Sequence, residues 1–457
     1  MNAHALVGLV VLNLWFLVVG VAVLFAVRGW SSWGELTRLS GLAYLLGVAV
    51  MGVVWGWELV IGIDLRTPTV FLTGIVVAGS ATGIGYRAGR RLPPRPGWRP
   101  RPPTLSPVGA VVGALTIVYL EALFRAGRLS PLFEFDAWDF WVPKAKAIYY
   151  FGGLDPQFFR ELTNPTYPPL VPAIEAAAFH FMGAADVVTV HLQFWFLFVG
   201  FVAAVLGLLS GRVPALFVWP PLLLVLVAPH TLDHVLQAQA DYVLDELFAV
   251  AVLLVAIWLI DRQNWQLVAA SLLLAGAMST KREGYLYAAS VVVAALIVTW
   301  AERRAAWPRL ATAAVAAALT IVPWRVLLAV RHLGGGGPEA GGTGLFSHAD
   351  RAWPSFRLAL TTLFDFHLWL VLAPVGLLAT AAALAAGARR LPAFTLLLYV
   401  LGVAGFTYST WAFPSLGIST NPALNPIVRL TGEIALLTPA LVPLLLASAW
   451  RPGQGVE

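Results

Sequence analysis

The chain has 457 residues, of which 59% are hydrophobic and only 11% are charged, and its mean hydropathy is +0.81. Soluble globular proteins carry about a quarter charged residues, so this composition excludes a water-soluble enzyme of this length and an intrinsically disordered chain. The formal net charge of +6 comes mostly from arginines in short segments between apolar runs, a pattern typical of membrane topology signals rather than of nucleic-acid binding.

Apolar segments suited to transmembrane helices recur along the whole chain. A membrane span needs about 20 mostly apolar residues. In chain order the segments are residues 6–27, 40–62, 68–86, 106–125, 188–209, 214–230, 243–260, 265–280, 285–300, 308–330, 365–387, 392–410 and 431–449. The segments 265–280 and 285–300 are short, and we expect them to tilt or break. The predicted fold is an all-α polytopic membrane protein with about 13 transmembrane helices.

The arginine distribution predicts the orientation of these helices. The strongest signal is the Pro-rich segment 87–101, which contains six arginines. Placing it on the cytoplasmic side also places there the loops with Arg38, Arg212, Arg262 and Arg390, as the positive-inside rule requires. We therefore expect a multi-pass protein of a bacterial plasma (inner) membrane, with the N-terminus outside and the C-terminus inside. The arginine- and alanine-rich composition is typical of a GC-rich bacterial genome.

The chain divides into three predicted parts. Residues 1–105 contain three accessory transmembrane helices and a basic cytoplasmic loop, residues 106–449 form a transmembrane core, and residues 450–457 form a cytoplasmic tail. The core includes the large outer loop 126–187, where we expect interfacial helices. The Gly-rich stretch 334–344 lacks the lysine of a phosphate-binding loop, and we interpret it as a mobile lid on the outer side.

The densest group of ionisable side chains lies within 133–155, FEFDAWDFWVPKAKAIYYFGGLD. Asp136 and Asp139 are three residues apart, so they share a face if the stretch is helical. Lys144 and Lys146 follow, and tryptophans flank them. Carboxylates, ammonium groups and indoles together are able to bind a phosphate and a sugar ring. An interfacial amphipathic helix also explains the tryptophans and lysines, although it explains the two acids poorly.

Two further segments bring polar groups to the predicted outer side. Tyr167 begins a Tyr-Pro-Pro sequence, which forms a rigid extended approach to a helix or simply a structural turn. Asp241, with Asp245 and Glu246, occupies the outer end of the seventh span. Acids at that position either line a polar pocket or stabilise the helix N-terminus electrostatically.

Basic residues appear at two more places on this side. Lys281, Arg282 and Glu283 form a tight corner between two short helices, which is either a solvated turn or a site where a cation meets an anionic group. Arg429 precedes the last span and could clamp a phosphate. Every lysine of the chain falls on the predicted outer side, and a compact ammonium group suits a phosphate oxygen.

Cofactor and catalytic motifs of soluble enzymes are absent from the sequence. There is no cysteine, which excludes thiolate metal sites and a cysteine nucleophile, and there is neither an HExxH nor a GxSxG motif. The paired carboxylates Asp136 and Asp139, with Asp241, could bind a divalent metal ion. Lys144 would compete for those carboxylates, so a divalent metal ion stays the less favoured alternative, and the sequence identifies no other cofactor.

The order of these elements resembles the GT-C class of membrane glycosyltransferases, which use polyprenyl-phosphate-linked sugars. The matching elements are an acid in the outer loop after the first core helix, the Tyr-Pro-Pro sequence, the acid-capped helix with Asp241, the Thr-Lys-x-x-Gly corner 280–284 and a basic residue, Arg429, before a late helix. The resemblance covers about residues 106–449. In particular, DAWDFWVPKAK resembles the Asp-x-Trp-x-x-Trp-x-x-Lys form of uncharacterised bacterial members, which places the family acid at Asp136.

Two departures from the family pattern concern the chain's ends. Three helices precede the core, so the helix that is usually first would be the fourth here. The sequence also predicts no extra soluble domain of the kind usual in the family. The first departure affects the topology, and the second leaves acceptor recognition unassigned.

The resemblance implies an enzyme that moves a sugar from a polyprenyl-phosphate donor to a glycan, lipid or protein acceptor on the outer face of the membrane, with inversion at the anomeric carbon. It implies a carboxylate base, Asp136 by preference with Asp139 as the second candidate. The substrate-binding candidates are Lys144, Lys146, Tyr167, Asp241, Lys281, Arg282, Glu283 and Arg429.

Two other classes of function are compatible with parts of the pattern. A lipid or polysaccharide transporter or flippase would use the same charges along a pathway, and it predicts ionisable residues near the middle of the membrane and an inverted repeat. A scaffold protein predicts no concentrated charge cluster. The charges gather at one face and no repeat is evident, which favours the enzyme.

Overall fold

The computed structural model describes residues 3–94, 107–130, 132, 134–162, 164–333, 349–412 and 431–450. The helices are α1 (Ala3–Val27), α2 (Trp33–Arg38), α3 (Ser40–Val60), α4 (Thr67–Arg87), α5 (Pro107–Leu129), α6 (Val142–Phe151), α7 (Pro156–Glu161), α8 (Leu170–Met182), α9 (His191–Leu209), α10 (Ala215–Leu226), α11 (Pro229–Val235), α12 (Ala240–Asp261), α13 (Asn264–Met278), α14 (Glu283–Val298), α15 (Arg303–Leu319), α16 (Val322–Val330), α17 (Ala352–Leu363), α18 (Phe366–Trp369), α19 (Leu372–Ala385), α20 (Arg390–Ala412) and α21 (Gly432–Trp450). A π-helical segment, Ala137–Trp141, precedes α6. No β-strand occurs in these ranges, which confirms the all-α class there.

Nine helices within the described ranges are long and apolar enough to cross a membrane: α1, α3, α4, α5, α9, α12, the segment Trp300–Val330 that includes α15 and α16, α20 and α21. The pair α10 and α11, bent by 67°, forms a tenth if it is a single broken span. The remaining predicted spans correspond to α13, α14 and α19, which have 15, 16 and 14 residues. At 1.5 Å per residue they are shorter than a hydrocarbon core of about 30 Å. A polytopic helical membrane protein is therefore supported, and the number of about 13 spans stays a prediction.

Helix α12 forms the centre of the bundle. It is buried along nearly its whole length and packs against α9, α13, α14 and α21. Its 22 residues rise by about 33 Å, so its two ends lie at opposite ends of the bundle. Asp241 lies at the first end and Asp261 at the second.

The second end of α12 belongs to a connected group of arginine contacts, which we call the arginine end. Arginine guanidinium groups at this end link five of the segments that connect successive helices. The contacts are Arg28 and Arg38 with Glu35, Arg38 with the Ser210 carbonyl, Arg212 with Asp261, and Arg262 and Arg390 with Glu302. The loops that the arginine distribution assigned to one side of the membrane thus lie together at one end of the bundle.

The accessory helices α1, α3 and α4 pack into the bundle rather than beside it. Helix α3 contacts α8, α9 and α13, and it crosses α1 closely at Gly47, where an added Cβ would lie 1.9 Å from the Phe16 carbonyl oxygen. Three polar side chains join α1, α3 and α9: the Tyr44 hydroxyl donates to Asn13 Oδ1 at 2.6 Å, and Asn13 Nδ2 donates to Gln193 Oε1 at 3.0 Å. A hydrogen-bonded cluster of this kind fixes the relative positions of the three helices.

Candidate functional site

The acidic pair of the large loop lies in a π-helical turn. The Val142 N–H donates to the carbonyl of Ala137, five residues earlier, and α6 continues from there. The prediction that Asp136 and Asp139 share a face assumed an α-helix, and the wider π turn rotates them further apart than that. Both side chains are half-buried. Isolated π turns are rare and often occur at functional sites.

The aromatic ring of Tyr167 lies at the centre of a group of cations and rings, which we call the Tyr167 cluster. The Arg282 guanidinium lies 4.9 Å from the ring centroid, and the ammonium nitrogens of Lys144 and Lys281 each lie 5.8 Å from it. The Trp141 ring stacks parallel to the Tyr167 ring with centroids 5.5 Å apart. These distances are within the range of cation–π attraction. Three cations from two distant parts of the sequence thus converge on one residue.

Lys144 is almost completely buried in this cluster. Its side chain is 1% exposed, and its Nζ donates to the Asn164 carbonyl at 2.5 Å. Burial and, to a smaller extent, the nearby charge of Arg282 lower the pKa of Lys144 from 10.5 to about 7, and the charge of Asp139 partly opposes them. Lys144 is therefore poised between an ammonium and a neutral amine near neutral pH, and it supports the loop that carries Tyr167.

The turn before Tyr167 is held in an uncommon backbone conformation. Asn164 has a φ of 51°, in the left-handed region that asparagine tolerates better than most residues. Its carbonyl accepts the Lys144 ammonium and also the Tyr167 N–H at 3.3 Å. Burial, together with the negative charge of Glu283, raises the pKa of Tyr167 to about 12, so its phenol stays neutral at physiological pH.

The Thr-Lys-x-x-Gly corner docks directly on the start of α8. The Leu170 N–H donates to the Ser279 carbonyl at 3.1 Å, and the Thr280 hydroxyl donates to the Ala277 carbonyl at 2.6 Å. An added Cβ on Gly284 would lie 2.4 Å from the Ala277 carbonyl oxygen, so the tight corner requires glycine there. These contacts hold the corner beside the Tyr-Pro-Pro sequence.

Lys281 links the Tyr167 cluster to the acidic start of α12. Its Nζ lies 2.7 Å from Asp241 Oδ1 and 3.7 Å from a carboxylate oxygen of Glu283. The side chains of Lys281 and Asp241 are only 7% and 8% exposed. Of the predicted site residues, the structure therefore brings together Lys144, Tyr167, Asp241, Lys281, Arg282 and Glu283, with Asp139 close enough to act electrostatically on Lys144.

The remaining predicted site residues are not part of this group. Asp136 lies at the start of the π turn. Lys146 is half-buried two residues beyond Lys144 and makes no ion pair or hydrogen bond within the described ranges. Arg429 and the predicted lid 334–344 lie outside the described residues.

One functional candidate, Glu433, was missed by sequence reasoning. Glu433 is 3% exposed in the first turn of α21, and an added Cβ on the neighbouring Gly432 would lie 2.9 Å from Asp245 Oδ2. Asp245, which the sequence placed beside Asp241 at the outer end of its span, is 2% exposed and follows Asp241 by one helical turn. An acid at the start of an apolar span is the signal that could have identified Glu433, because ionisable groups at membrane depth are costly and usually functional.

The described ranges contain no group of side chains arranged to bind a metal ion. No set of three or more histidine, aspartate or glutamate side chains in those ranges is arranged to hold one. Comparison with protein-family models, with curated proteins and with solved structures gave no match to this chain.

Proposed function

We propose that the chain is a membrane glycosyltransferase of the GT-C type, which transfers a sugar from a polyprenyl-phosphate donor to an acceptor at the outer face of a bacterial inner membrane. The observation that carries the proposal is the convergence of Lys144, Lys281 and Arg282 on Tyr167. A cluster of cations in a mostly buried setting suits a phosphate group, because ion–ion attraction is strong where water is scarce.

The proposed reaction needs a base and a stabilised leaving group. The acceptor oxygen attacks the anomeric carbon, the bond from that carbon to the phosphate oxygen breaks, and the acceptor proton passes to a carboxylate, Asp136 by preference. The polyprenyl phosphate that leaves gains negative charge, which Lys281 and Arg282 would stabilise. Asp139 would orient Lys144 or accept a hydrogen bond from a sugar hydroxyl.

The proposed orientation follows from the two ends of the bundle. The arginine end contains most of the short basic connections, and the positive-inside rule assigns it to the cytoplasm. The Tyr167 cluster lies at the opposite end of α12 and would then face outward, where a lipid-linked donor in the outer leaflet reaches it.

The test uses the purified protein in lipid nanodiscs with fluorescent polyprenyl-phosphate sugars and an envelope fraction as the acceptor. We expect donor consumption with release of polyprenyl phosphate. Lys281→Met and Arg282→Gln should lower kcat/KM at least about tenfold, since a hydrogen bond to a charged group contributes about 1.5–3 kcal/mol. Lys146→Met is the matched control, because Lys146 lies outside the cluster, and it should leave the rate within about twofold.

A transporter or flippase is the alternative, and one observation favours it. Glu175 is completely buried in α8, and neither of its carboxylate oxygens has a hydrogen-bond partner among the described residues. Buried ionisable groups within a helical bundle are typical of transport pathways. Donor lipid that changes leaflet without releasing polyprenyl phosphate would support the transporter and contradict the glycosyltransferase.

A further inference from the structure

A cavity of about 640 Å³ opens at the arginine end, where α14, α20 and α21 meet. Its wall contains the ends of these helices: Val298 ends α14, Arg390 begins α20 and Ser448 lies in the last turn of α21. Arg389, in the connection from α19 to α20, lines another part. Sites for small molecules have volumes of about 300–1,000 Å³, so this cavity is large enough to admit a ligand.

The polar part of the cavity wall carries an excess of positive charge. Arg389 is exposed and makes neither an ion pair nor a hydrogen bond within the described ranges. Arg390 pairs with Glu302, but Glu302 is shared with Arg262, so two guanidinium groups compete for one carboxylate. The charge of Arg389 adds to this surplus. Because a guanidinium group binds phosphate through paired hydrogen bonds, this part of the wall is complementary to a phosphate group.

Away from the arginines the cavity wall is mostly apolar, and it continues along two helices. Ile297 of α14 and Ala393 of α20 line the cavity. Val293, one turn before Ile297, is exposed on the same face of α14. Leu396 and Val400 are exposed on α20, three and seven residues after Ala393, and therefore share its face. An apolar surface thus leads from the cavity along the membrane-spanning part of α20.

Two exposed tryptophans indicate the depth of the cavity in the membrane. Trp300 follows the end of α14 by two residues and is 60% exposed, and Trp450 ends α21 and is 72% exposed. Tryptophan is enriched at the membrane–water interface, where its ring lies at the level of the lipid headgroups. The cavity between these helix ends therefore lies at headgroup depth.

We propose that this cavity binds an anionic phospholipid of the leaflet at the arginine end. The phosphate lies against Arg389 and Arg390, and the acyl chains lie along the apolar surface of α14 and α20. A soluble phosphate compound would match the arginines but leave the apolar wall in contact with water. The cation of a zwitterionic headgroup would lie beside the arginines. Basic pockets between transmembrane helices are suited to anionic headgroups.

The lipid site is distinct from the candidate functional site and does not depend on the proposed function. It lies at the opposite end of α12 from the Tyr167 cluster. A lipid bound there contacts α14, α20 and α21 together, so its binding should also stabilise the folded protein.

Native mass spectrometry of the purified full-length protein tests the site, with phosphatidylglycerol and phosphatidylcholine of identical acyl chains as the probes. Wild-type protein should bind phosphatidylglycerol at least about tenfold more tightly than phosphatidylcholine. Arg389→Gln should weaken phosphatidylglycerol binding about fivefold, the contribution of one basic residue to attraction by anionic lipid, whereas Arg389→Lys should retain most of the affinity. Because Arg389 is exposed and unpaired within the described ranges, these variants should fold normally.

A second variant tests the apolar part of the site without changing the charge. Ala393→Phe places a larger side chain in the cavity and should weaken phosphatidylglycerol binding, because it occupies space that the lipid needs. Inorganic phosphate at millimolar concentration should not displace the lipid, since phosphate gains nothing from the apolar wall.

Arg304→Gln is the matched control. Arg304 is exposed at the same end of the bundle and carries the same charge, but it does not line the cavity. Its substitution should leave the affinity within about twofold of wild type. An equal loss in Arg304→Gln and Arg389→Gln would show diffuse attraction to surface charge and overturn the site.

Three further results would contradict the proposal. Equal binding of the two lipids would show that the headgroup charge is not recognised. Displacement by inorganic phosphate would show that the cavity takes a soluble anion instead of a lipid. Unchanged affinity in both Arg389→Gln and Ala393→Phe would place the bound lipid elsewhere on the protein.

Discussion

Lys281 and Asp241 form a buried ion pair in which Nζ lies 2.7 Å from Oδ1, although the two residues are forty positions apart in the sequence. The pair joins the corner after α13 to the start of α12. Because Lys281 also contacts the Tyr167 ring, the pair links the cations around Tyr167 to the acids at the start of α12. Its contributions to stability and to function are therefore separable by experiment.

Removing one partner of this pair should destabilise the protein. Lys281→Met leaves the carboxylate of Asp241 buried without its closest cation, and breaking a buried pair in this way costs about 3–5 kcal/mol. The double variant Lys281→Met/Asp241→Asn should recover most of that loss, because no uncompensated charge remains. Unfolding in detergent measures stability, and a donor-consumption assay measures activity, which we expect the double variant not to recover. Equal stability of the single and double variants would contradict the buried ion pair.

The buried ammonium of Lys144 should make stability depend on pH. The pKa of Lys144 is about 7 in the folded protein against an ordinary value of 10.5, so the unfolded chain binds more protons between these values. Stability should therefore rise with pH through that window, and below pH 7 the full cost of burying the charge is present. Lys144→Met should remove this part of the pH dependence.

Thermal unfolding of both proteins in detergent, between about pH 6 and pH 9, measures this contribution. Lys146→Met serves as the control, since Lys146 is only half-buried and should leave the wild-type pH dependence in place. Parallel curves for wild type and Lys144→Met would show that Lys144 keeps an ordinary pKa.

The two acids of the π turn should differ in their effect on catalysis. Asp136→Asn keeps the shape of the side chain and removes its basicity, and loss of a general base lowers the rate by about a hundredfold to ten-thousandfold. Asp139→Asn should cost only about tenfold, the effect of one lost hydrogen bond. It should also shift the activity profile to lower pH, because the charge of Asp139 raises the pKa of Lys144.

Rates of polyprenyl-phosphate release at several pH values distinguish the two roles. A near wild-type rate in Asp136→Asn combined with an inactive Asp139→Asn would reverse the assignment. Normal transfer by both variants would place the base outside the large loop and strengthen the transporter alternative.

Cysteine labelling tests which end of the bundle faces outward. Because the chain contains no native cysteine, only the introduced cysteine can react. Tyr150 is 66% exposed on α6, near the Tyr167 cluster, and Ala301 is exposed beside the arginine end. In intact cells an impermeant maleimide should react with Tyr150→Cys and not with Ala301→Cys. Both should react after the membrane is permeabilised, and the reverse pattern in intact cells would place the candidate site in the cytoplasm.

Much of the helical architecture could be predicted because hydrophobicity is a local property. Each apolar segment that we predicted as a transmembrane span contains a helix in the described ranges. The arginine-rich connections predicted to share a side do share an end. The lengths of the helices were harder to predict. Helices α13 and α14 pack against neighbours such as α12, and they are shorter than the roughly 20 residues that a lipid-exposed span requires.

Part of the candidate site could also be predicted, because burying a charged group in an apolar protein costs free energy and therefore indicates a functional role. Lys281, Arg282 and Asp241 were identified in this way, whereas Tyr167 was identified by its Tyr-Pro-Pro sequence. The equal treatment of Lys144 and Lys146 was not justified by the structure, because the rotation of α6 buries one and leaves the other half-buried. A π turn before α6 changes that rotation, and no simple spacing rule predicts it.

The sequence by itself determined the membrane class, the helical segments and the distribution of charge between them, because these depend on the composition of contiguous residues. Only the tertiary structure decided which charges meet. The Tyr167 cluster combines residues from 141 to 282, and the packing of α21 against α12 brings Glu433 near Asp245. Their partnership depends on how α6, α12, α14 and α21 pack, and packing arises from many weak non-local contacts that no short stretch of sequence encodes.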